Sequence, residues 1–453
     1  MVLAARNVRA CLVLASVLTG LLVQLPSAAL AAEPPRAVFH PRPDIDLGAL
    51  TRLVVARSAA MQAAQLELEQ ASAEVHQSKL LENPAGDFAW GTVPVGESNP
   101  PGLDAPYLNV PNYGVGLSYR FLLGKRGPRQ ERAKALEGGA RAMRDSLGRQ
   151  QALALVRLLG VLAIASMRAD GAQGILDDAK RSLELVKSRL AASFGTELDV
   201  DRLQIEVNRV ENVISRSEGE ISASLAECAA ALGTPCEGFG SREEAKAFLK
   251  VWVDRGAAMT GNSIEERPDI RALAAYEQAA QAELSLARAQ SIPDPTVRVG
   301  FLHDRFTVSG NQRNSFNLTV VVPLPVFDHG QAQAEAAASR QARVAAQRQR
   351  LLESARARIP MLRKTLEIQR KRERAIANEM LPRARAVLQD LERAAANRLV
   401  ALTDVIQARR TVHELMGEEA DSIGNAFEAS LELISQLPGS SNVSTEPPQG
   451  AGP

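Results

Sequence analysis

NSFNLTVVVPLPVFDHG, residues 314–330, interrupts a chain that is otherwise rich in Ala, Leu, Glu, Arg and Gln. Phe316, Leu318, Val320 and Val322 alternate with Asn317, Thr319 and Val321, the period of a β-strand whose two faces differ. Pro323 and Pro325 then end sheet pairing, because proline has no N–H to donate. Gly330 gives the backbone freedom to swing into the helix that begins QAQAEAAAS. The same device stands earlier in the chain. Tyr113, Val115, Leu117, Tyr119 and Phe121 alternate with Gly114, Gly116, Ser118 and Arg120, and Gly124, Gly127 and Pro128 make the corresponding turn.

Working outward, the chain reads as one architecture made twice. NPAGDFAWG (83–91) lies on IPDPTVRVG (292–300), with Pro second and Gly last in each, and the helix-breaking stretches near 195 and 397 fall at almost the same offset. The first repeat, 46–233, comprises a helix, strands at about 84–95 and 112–122, and long helices at 129–193 and 199–232. Gly195 is placed to cap the first long helix, which would be roughly 100 Å long. An equatorial segment, 234–266, holds short elements packed on the side of the long helices. The second repeat, 267–436, has a helix, strands at about 294–304 and 314–324, and helices at 330–396 and 400–436, with Pro360 and Pro382 marking kinks or a short break. The apolar run 152–165 contains Arg157 and is too short for a membrane span, so it suits a helix buried among neighbours.

Composition agrees with helices packed through small side chains. Of 453 residues, 45% are hydrophobic and only 4% aromatic, and ten of the seventeen aromatic residues fall in the two strand-bearing windows, 83–122 and 292–330. A net charge of +1 gives no field that would recommend nucleic acid as a partner.

The first 31 residues have the layout of a secretory signal peptide: Arg6 and Arg9, an apolar run from Cys11 to Leu25, and Ala29-Leu30-Ala31 before the cleavage point. A membrane anchor is the alternative. A Pro-rich segment, 32–45, follows as an extended tether, and the tail 437–453 lacks apolar periodicity and is expected to be disordered. Export leaves Cys228 and Cys236, eight apart across a helix end at Gly233, either as a small local disulfide or as two buried thiols.

Strands of 9 to 11 residues with apolar and polar faces match transmembrane β-strands, lipid on one side and lumen on the other; a small soluble sheet packed on helices is the competing reading. Four strands cannot close a barrel, and an open edge in lipid leaves backbone groups unpaired. Three copies would supply twelve strands and gather the long helices into a tube.

With these residues in view, IPDPTVRVGF, VVVPLPVFDHGQ, FLLGKRGPR and the tip ALTDVIQARRTV are similar to the strands, junctions and tip of the TolC-like outer-membrane efflux protein family, in its heavy-metal (cation) efflux branch. The resemblance covers about residues 45–436. It implies a mainly α fold with a four-stranded antiparallel β-segment per chain, and a homotrimer with a 12-stranded membrane β-barrel in outer-membrane lipid above a long helical-hairpin tunnel. It also implies a periplasmic adaptor and a proton-driven, RND-type inner-membrane pump as partners, with heavy-metal cations as cargo. A duct for drugs or type I secretion is the alternative within transport, and a periplasmic coiled-coil scaffold the alternative from another class. The family closes its tunnel at the periplasmic tips, which makes Asp199, Asp201 and Asp404 candidates for a gate; each could equally be a helix cap or first-turn carboxylate, Asp404 above all. His40, His76, His303, His329 and His413 are scattered without partners at metal-binding spacing, and no catalytic triad, phosphate loop or cofactor motif is present, so neither a metal centre, a cofactor nor an enzyme is expected.

Overall fold

The computed structural model describes residues 38–91, 112–194, 196–261, 263–304, 312–397 and 399–438. From Phe39 onward these form one unit. The expected signal peptide, the expected continuation of the first strand beyond Gly91, Gly195 and the tail past 438 lie outside the described residues.

Phe39 is more than tether: its N–H donates to the Pro235 carbonyl at 2.8 Å and its carbonyl accepts from Glu237 at 3.0 Å, a short parallel bridge. The helical periodicity at 46–81 resolves into α1 (Leu47–Arg57), opened by the Asp46 carboxylate accepting from the Gly48 N–H, and α2 (Ala59–Lys79), separated by Ser58 in extended conformation. Strands β1 (Ala85–Gly91) and β2 (Asn112–Arg120) precede the 66-residue α3 (Arg126–Ala191), about 100 Å of helix. Gly127 and Pro128 lie inside its first turn, where proline's missing N–H costs nothing. Ser193, at φ 62°, ends α3 in left-handed conformation, with the Phe194 N–H returning to the Arg189 carbonyl. The chain continues through α4 (Glu197–Leu232), which stops at left-handed Gly233, then α5 (Arg242–Ala258), a 3₁₀ turn (Ile264–Glu266) and α6 (Pro268–Ala289). Strands β3 (Thr296–Asp304) and β4 (Asn314–Val321) lead into α7 (Gln331–Ala375), α8 (Leu381–Ala396) and α9 (Leu402–Gln436). Pro360 sits in α7 without interrupting it; the break comes at a π turn (Ile376–Met380) just ahead of Pro382, where a widened turn accommodates the missing donor.

The equatorial segment packs on the long helices α3 and α9, as expected, and its helix α5 supplies much of the core between them. Phe248 and Trp252 of α5 meet Phe427 of α9, with the Phe248 ring 6.1 Å from Phe427 and 6.4 Å from Trp252. Gly160 of α3 lets that cluster close: a methyl there would land inside the Phe427 ring. The run 152–165 is buried here against α5 and α9.

Cys228 and Cys236 are joined as a disulfide, their Cα atoms 6.0 Å apart. The bond turns the chain back from α4 and presents the residues that pair with Phe39. For a loop this small, chain-entropy arguments give about 2–3 kcal/mol of stabilisation. Replacing both cysteines by serine should lower the temperature at which the purified protein loses its helical circular dichroism, and reductant should bring the wild type down to the same value; an unchanged midpoint in both would show that the bond contributes nothing.

The four strands form one antiparallel sheet in the order β1-β2-β3-β4, with Phe88 opposite Val115, Val115 opposite Phe301, and Phe301 opposite Phe316. Among the described residues no helix packs on either face, and β1 and β4 each have an open edge.

Candidate functional site

The register sorts the sheet into two unlike faces. One carries Phe88, Trp90, Val115, Leu117, Val299, Phe316 and Leu318 side by side, and it is bare: Phe316 is 83%, Phe88 70% and Trp90 62% exposed. Soluble proteins rarely leave so continuous an apolar surface uncovered. Trp90, and Tyr113 stacked on His303 at 4.7 Å, stand at the sheet's outer end, while Tyr119 and Phe121 stand at the inner end, as in the aromatic girdles of membrane barrels.

The other face is polar and internally compensated. Arg298 on β3 reaches across β2 to Asp87 on β1, with Nε to Oδ1 at 2.9 Å and Nη2 to Oδ2 at 2.5 Å, and also approaches Asn317 on β4 at 3.4 Å. Gly116 and Gly300 leave room for this bridge; a Cβ at Gly116 would come within 2.6 Å of Arg298 and 2.7 Å of Asp87. At the helical end of the sheet Arg120 holds Glu82 through Nε at 2.9 Å and Nη2 at 2.6 Å. One interaction set thus spans all four strands while offering no strong field of either sign. Asn317 belongs to the polar side of the alternation read from the sequence, whereas Asp87 and Arg298 carry no local sign of their pairing, although Arg298 between Val297 and Val299 is a charge on that same side.

The strand-to-helix junctions are built from particular contacts. Gly124 (φ 70°) turns the first, beside Ile292 and Ala289. Lys125 there pairs with Asp294 at 2.6 Å, and the Leu123 N–H donates to the same carboxylate at 3.0 Å. Partial burial would raise the Asp294 carboxyl, but these two donors hold it below its ordinary value. Gly127 has no such role, with no neighbour within 4 Å of its would-be Cβ and no left-handed backbone. In the second junction Pro323 and Pro325 follow the last paired residue, Val321. Gly330 (φ 79°) donates its N–H to Asp328 at 2.9 Å and opens α7. Between the strand and Gly330, Leu324, Val326 and Phe327 are exposed, the last at 93%.

At the opposite end, Asp199 is a capping residue: its N–H donates to Thr196 Oγ1 at 3.3 Å and its carboxylate accepts from the Thr196 hydroxyl at 2.7 Å. Asp404 is the first-turn carboxylate of that pair of readings rather than the cap: it is exposed in the first turn of α9, which has no side-chain cap. Asp201 is exposed on α4. The two helices that carry these carboxylates are tied one to two turns away by Arg410, which binds the buried Glu206 at 3.0 and 2.9 Å. Arg409, also buried, reaches Glu392 of α8 and Ser182 of α3. The histidines stay apart: His40 pairs with Glu237, His303 with Asn314, and His413 lies half-buried on α9, where burial lowers its imidazole. Among the described residues no three His, Cys, Asp or Glu side chains converge as a metal site.

Comparison with known proteins agrees with this geometry. Residues 260–437 match the profile of the family described as "Outer membrane efflux protein". A 243-residue stretch, 52% of the chain, is 27% identical to the pyoverdine export outer membrane protein OpmQ of Pseudomonas aeruginosa, spanning about half (50%) of that relative's length. Among solved structures the chain resembles CusC, with a TM-score of 0.67 at 15% identity over 91% of this chain and 96% of that one. It resembles VceC of Vibrio cholerae equally, with a TM-score of 0.67 at 18% identity over 86% and 95%. Residues 260–437 are thus similar to the outer membrane efflux protein family, in a chain whose fold is shared with solved outer-membrane channels.

Proposed function

We propose that the protein is the outer-membrane exit duct of a tripartite efflux system, a passive homotrimeric channel supplied by a periplasmic adaptor and a proton-driven, RND-type inner-membrane pump. The observation that carries this is the bare two-faced sheet with two open edges. In hydrocarbon every unpaired backbone group costs several kcal/mol, so β4 of one copy has to pair with β1 of another until the ring closes. Three copies give twelve strands and an apolar exterior, with the Asp87–Arg298 bridges turned to the lumen. The two repeats, each a helix, two strands and a long helical hairpin, then supply the tunnel wall. Asp199, Asp201 and Asp404 stand at its far end; in a threefold ring their carboxylates would favour cations at a constriction.

For cargo, the junction sequences and this acidic tip support heavy-metal cations. The similarity to a pyoverdine exporter supports the alternative of organic molecules. Detergent extraction followed by size measurement before heating tests the assembly: a three-chain particle from the outer-membrane fraction is expected, and a soluble single chain would overturn the channel in favour of a periplasmic scaffold. Deleting the gene should lower tolerance to heavy-metal salts; unchanged metal tolerance with lowered tolerance to organic toxicants would transfer the cargo to the alternative.

A further inference from the structure

The helices repeat the order of the strands. Within the chain α2 packs on α3, α3 on α6 and α6 on α7, and these four are continuous with β1, β2, β3 and β4 in that order. So α2 and α7 are the outer members of the helical row, each beneath an open strand edge. Their inward stripes are buried: Met61, Ala64 and Val75 on α2, and Ala337 on α7. Opposite those stripes, α2 presents Leu66, Glu69 and Ala73, and α7 presents Ser339, Arg343 and Ala346, all exposed, Leu66 at 64%.

At the centre of each of these faces stands a single charge, and the two are opposite: Glu69 on α2 and Arg343 on α7. Glu69 takes only a hydrogen bond from Gln65 on its own helix, and Arg343 has no ion-pair partner among the described residues. Their heights agree as well. Arg126 and Arg129 at the start of α3 bind the carbonyls of Lys79 and Gln77 at the end of α2. Lys125 binds the Ile292 carbonyl just past the end of α6, and Glu283 of α6 takes Arg132 from α3 and Arg340 from α7. Counting down from these rungs at about 1.5 Å per residue, Glu69 and Arg343 both lie roughly 15–20 Å from the sheet ends of their helices.

We infer that α7 of one copy lies against α2 of the next, with Arg343 paired to Glu69 and Leu66 laid over the small side chains beside it. This rests on the trimeric duct proposed above and names the seam that closes its helical wall. The small residues let the helices approach, and a single charge pair at matched height fixes their register against sliding.

Cysteine pairing tests the seam in the full-length protein within its membrane. The double variant Glu69→Cys with Arg343→Cys, treated with a mild oxidant, should shift on boiled non-reducing gels from the one-chain band to two- and three-chain bands. Neither single variant should shift, because like positions are remote from each other in a head-to-tail ring. The native cysteines are already bonded to each other. A double variant that assembles to trimer size before heating yet stays at one-chain size after oxidation would overturn the seam and leave the duct standing. A wild-type chain that never assembles would overturn both. Should the cysteine pair itself prevent assembly, the charge exchange Glu69→Arg with Arg343→Glu decides: assembly recovered by the exchange but weakened in each single variant supports the seam, and no recovery overturns it.

Discussion

Phe316→Lys is expected to abolish accumulation of the protein in the outer membrane, while Ser315→Lys, one residue away, is expected to leave it nearly unchanged. Both positions are exposed, so in a water-soluble sheet either lysine would fall within the roughly ±0.5 kcal/mol typical of surface substitutions. In the duct they part company. Phe316 stands on the apolar face, its ring 5.6 Å from that of Phe301, whereas Ser315 faces the polar side opposite Leu302. A lysine presented to lipid near the bilayer midplane costs about 2–4 kcal/mol, less toward either interface, and three copies place three such charges on one barrel. The ring contact, worth about 0.5–1.5 kcal/mol, is lost as well. Fractionation with immunodetection of the heat-dissociable assembly reads the difference; equal tolerance of both lysines would show that the face does not meet lipid.

That face was legible in the sequence because strand alternation has a period of two and each step is independent of distant contacts. Phe316, Leu318 and Val320 declare their side without reference to any other strand, and their cross-strand partners follow once the sheet order is known. What depends on partners far along the chain was not legible. Arg298 reads as a polar-face residue, but its binding to Asp87, 211 positions away, requires the register of three strands. At the tip Asp199 and Asp404 both stand in the first turn of their helices, as a cap or first-turn carboxylate should, but which of the two joins a side-chain cap depends on the residue three positions earlier, Thr196 in one helix and Ala401 in the other. The split at Ser58 had no signal, because the residues on both sides are helix formers and only packing on α3 and α4 sets the bend. Arg409 and Glu419 could have been noticed: with Val405, Val412, Leu415, Ile423 and Ala426 they fall on the buried stripe of α9, where a charge demands a partner.

Glu419 gives the second large effect. It is 3% exposed and accepts from Arg242 Nη2 and Lys246 Nζ of α5, each at 2.6 Å; Arg242 also binds the Met167 carbonyl of α3, and Lys246 approaches Glu373 of α7 at 3.8 Å. Four helices therefore meet through one carboxylate. Burial alone would raise its pKa, yet the two cations hold it below the ordinary value of 4.5. A carboxyl depressed on folding adds stability above its unfolded pKa and loses it as pH falls through the folded value, so in the wild type this contribution disappears only below about pH 4.5. Replacing both Arg242 and Lys246 by alanine leaves the buried carboxylate without its neutralising partners, at a cost on the order of 3–5 kcal/mol at neutral pH. It should also reverse the sign of the pH dependence. With only burial acting, the folded pKa rises above the unfolded one, and the variant's deficit relative to wild type grows as pH climbs from about 4.5 toward neutrality. Adding Glu419→Gln to the double variant removes the charge and should restore much of the loss while flattening its pH dependence. Thermal dissociation of the detergent-solubilised protein between pH 4.5 and 8 measures all three. A deficit that stays constant across that range would mean that lost packing, rather than a stranded charge, explains the damage.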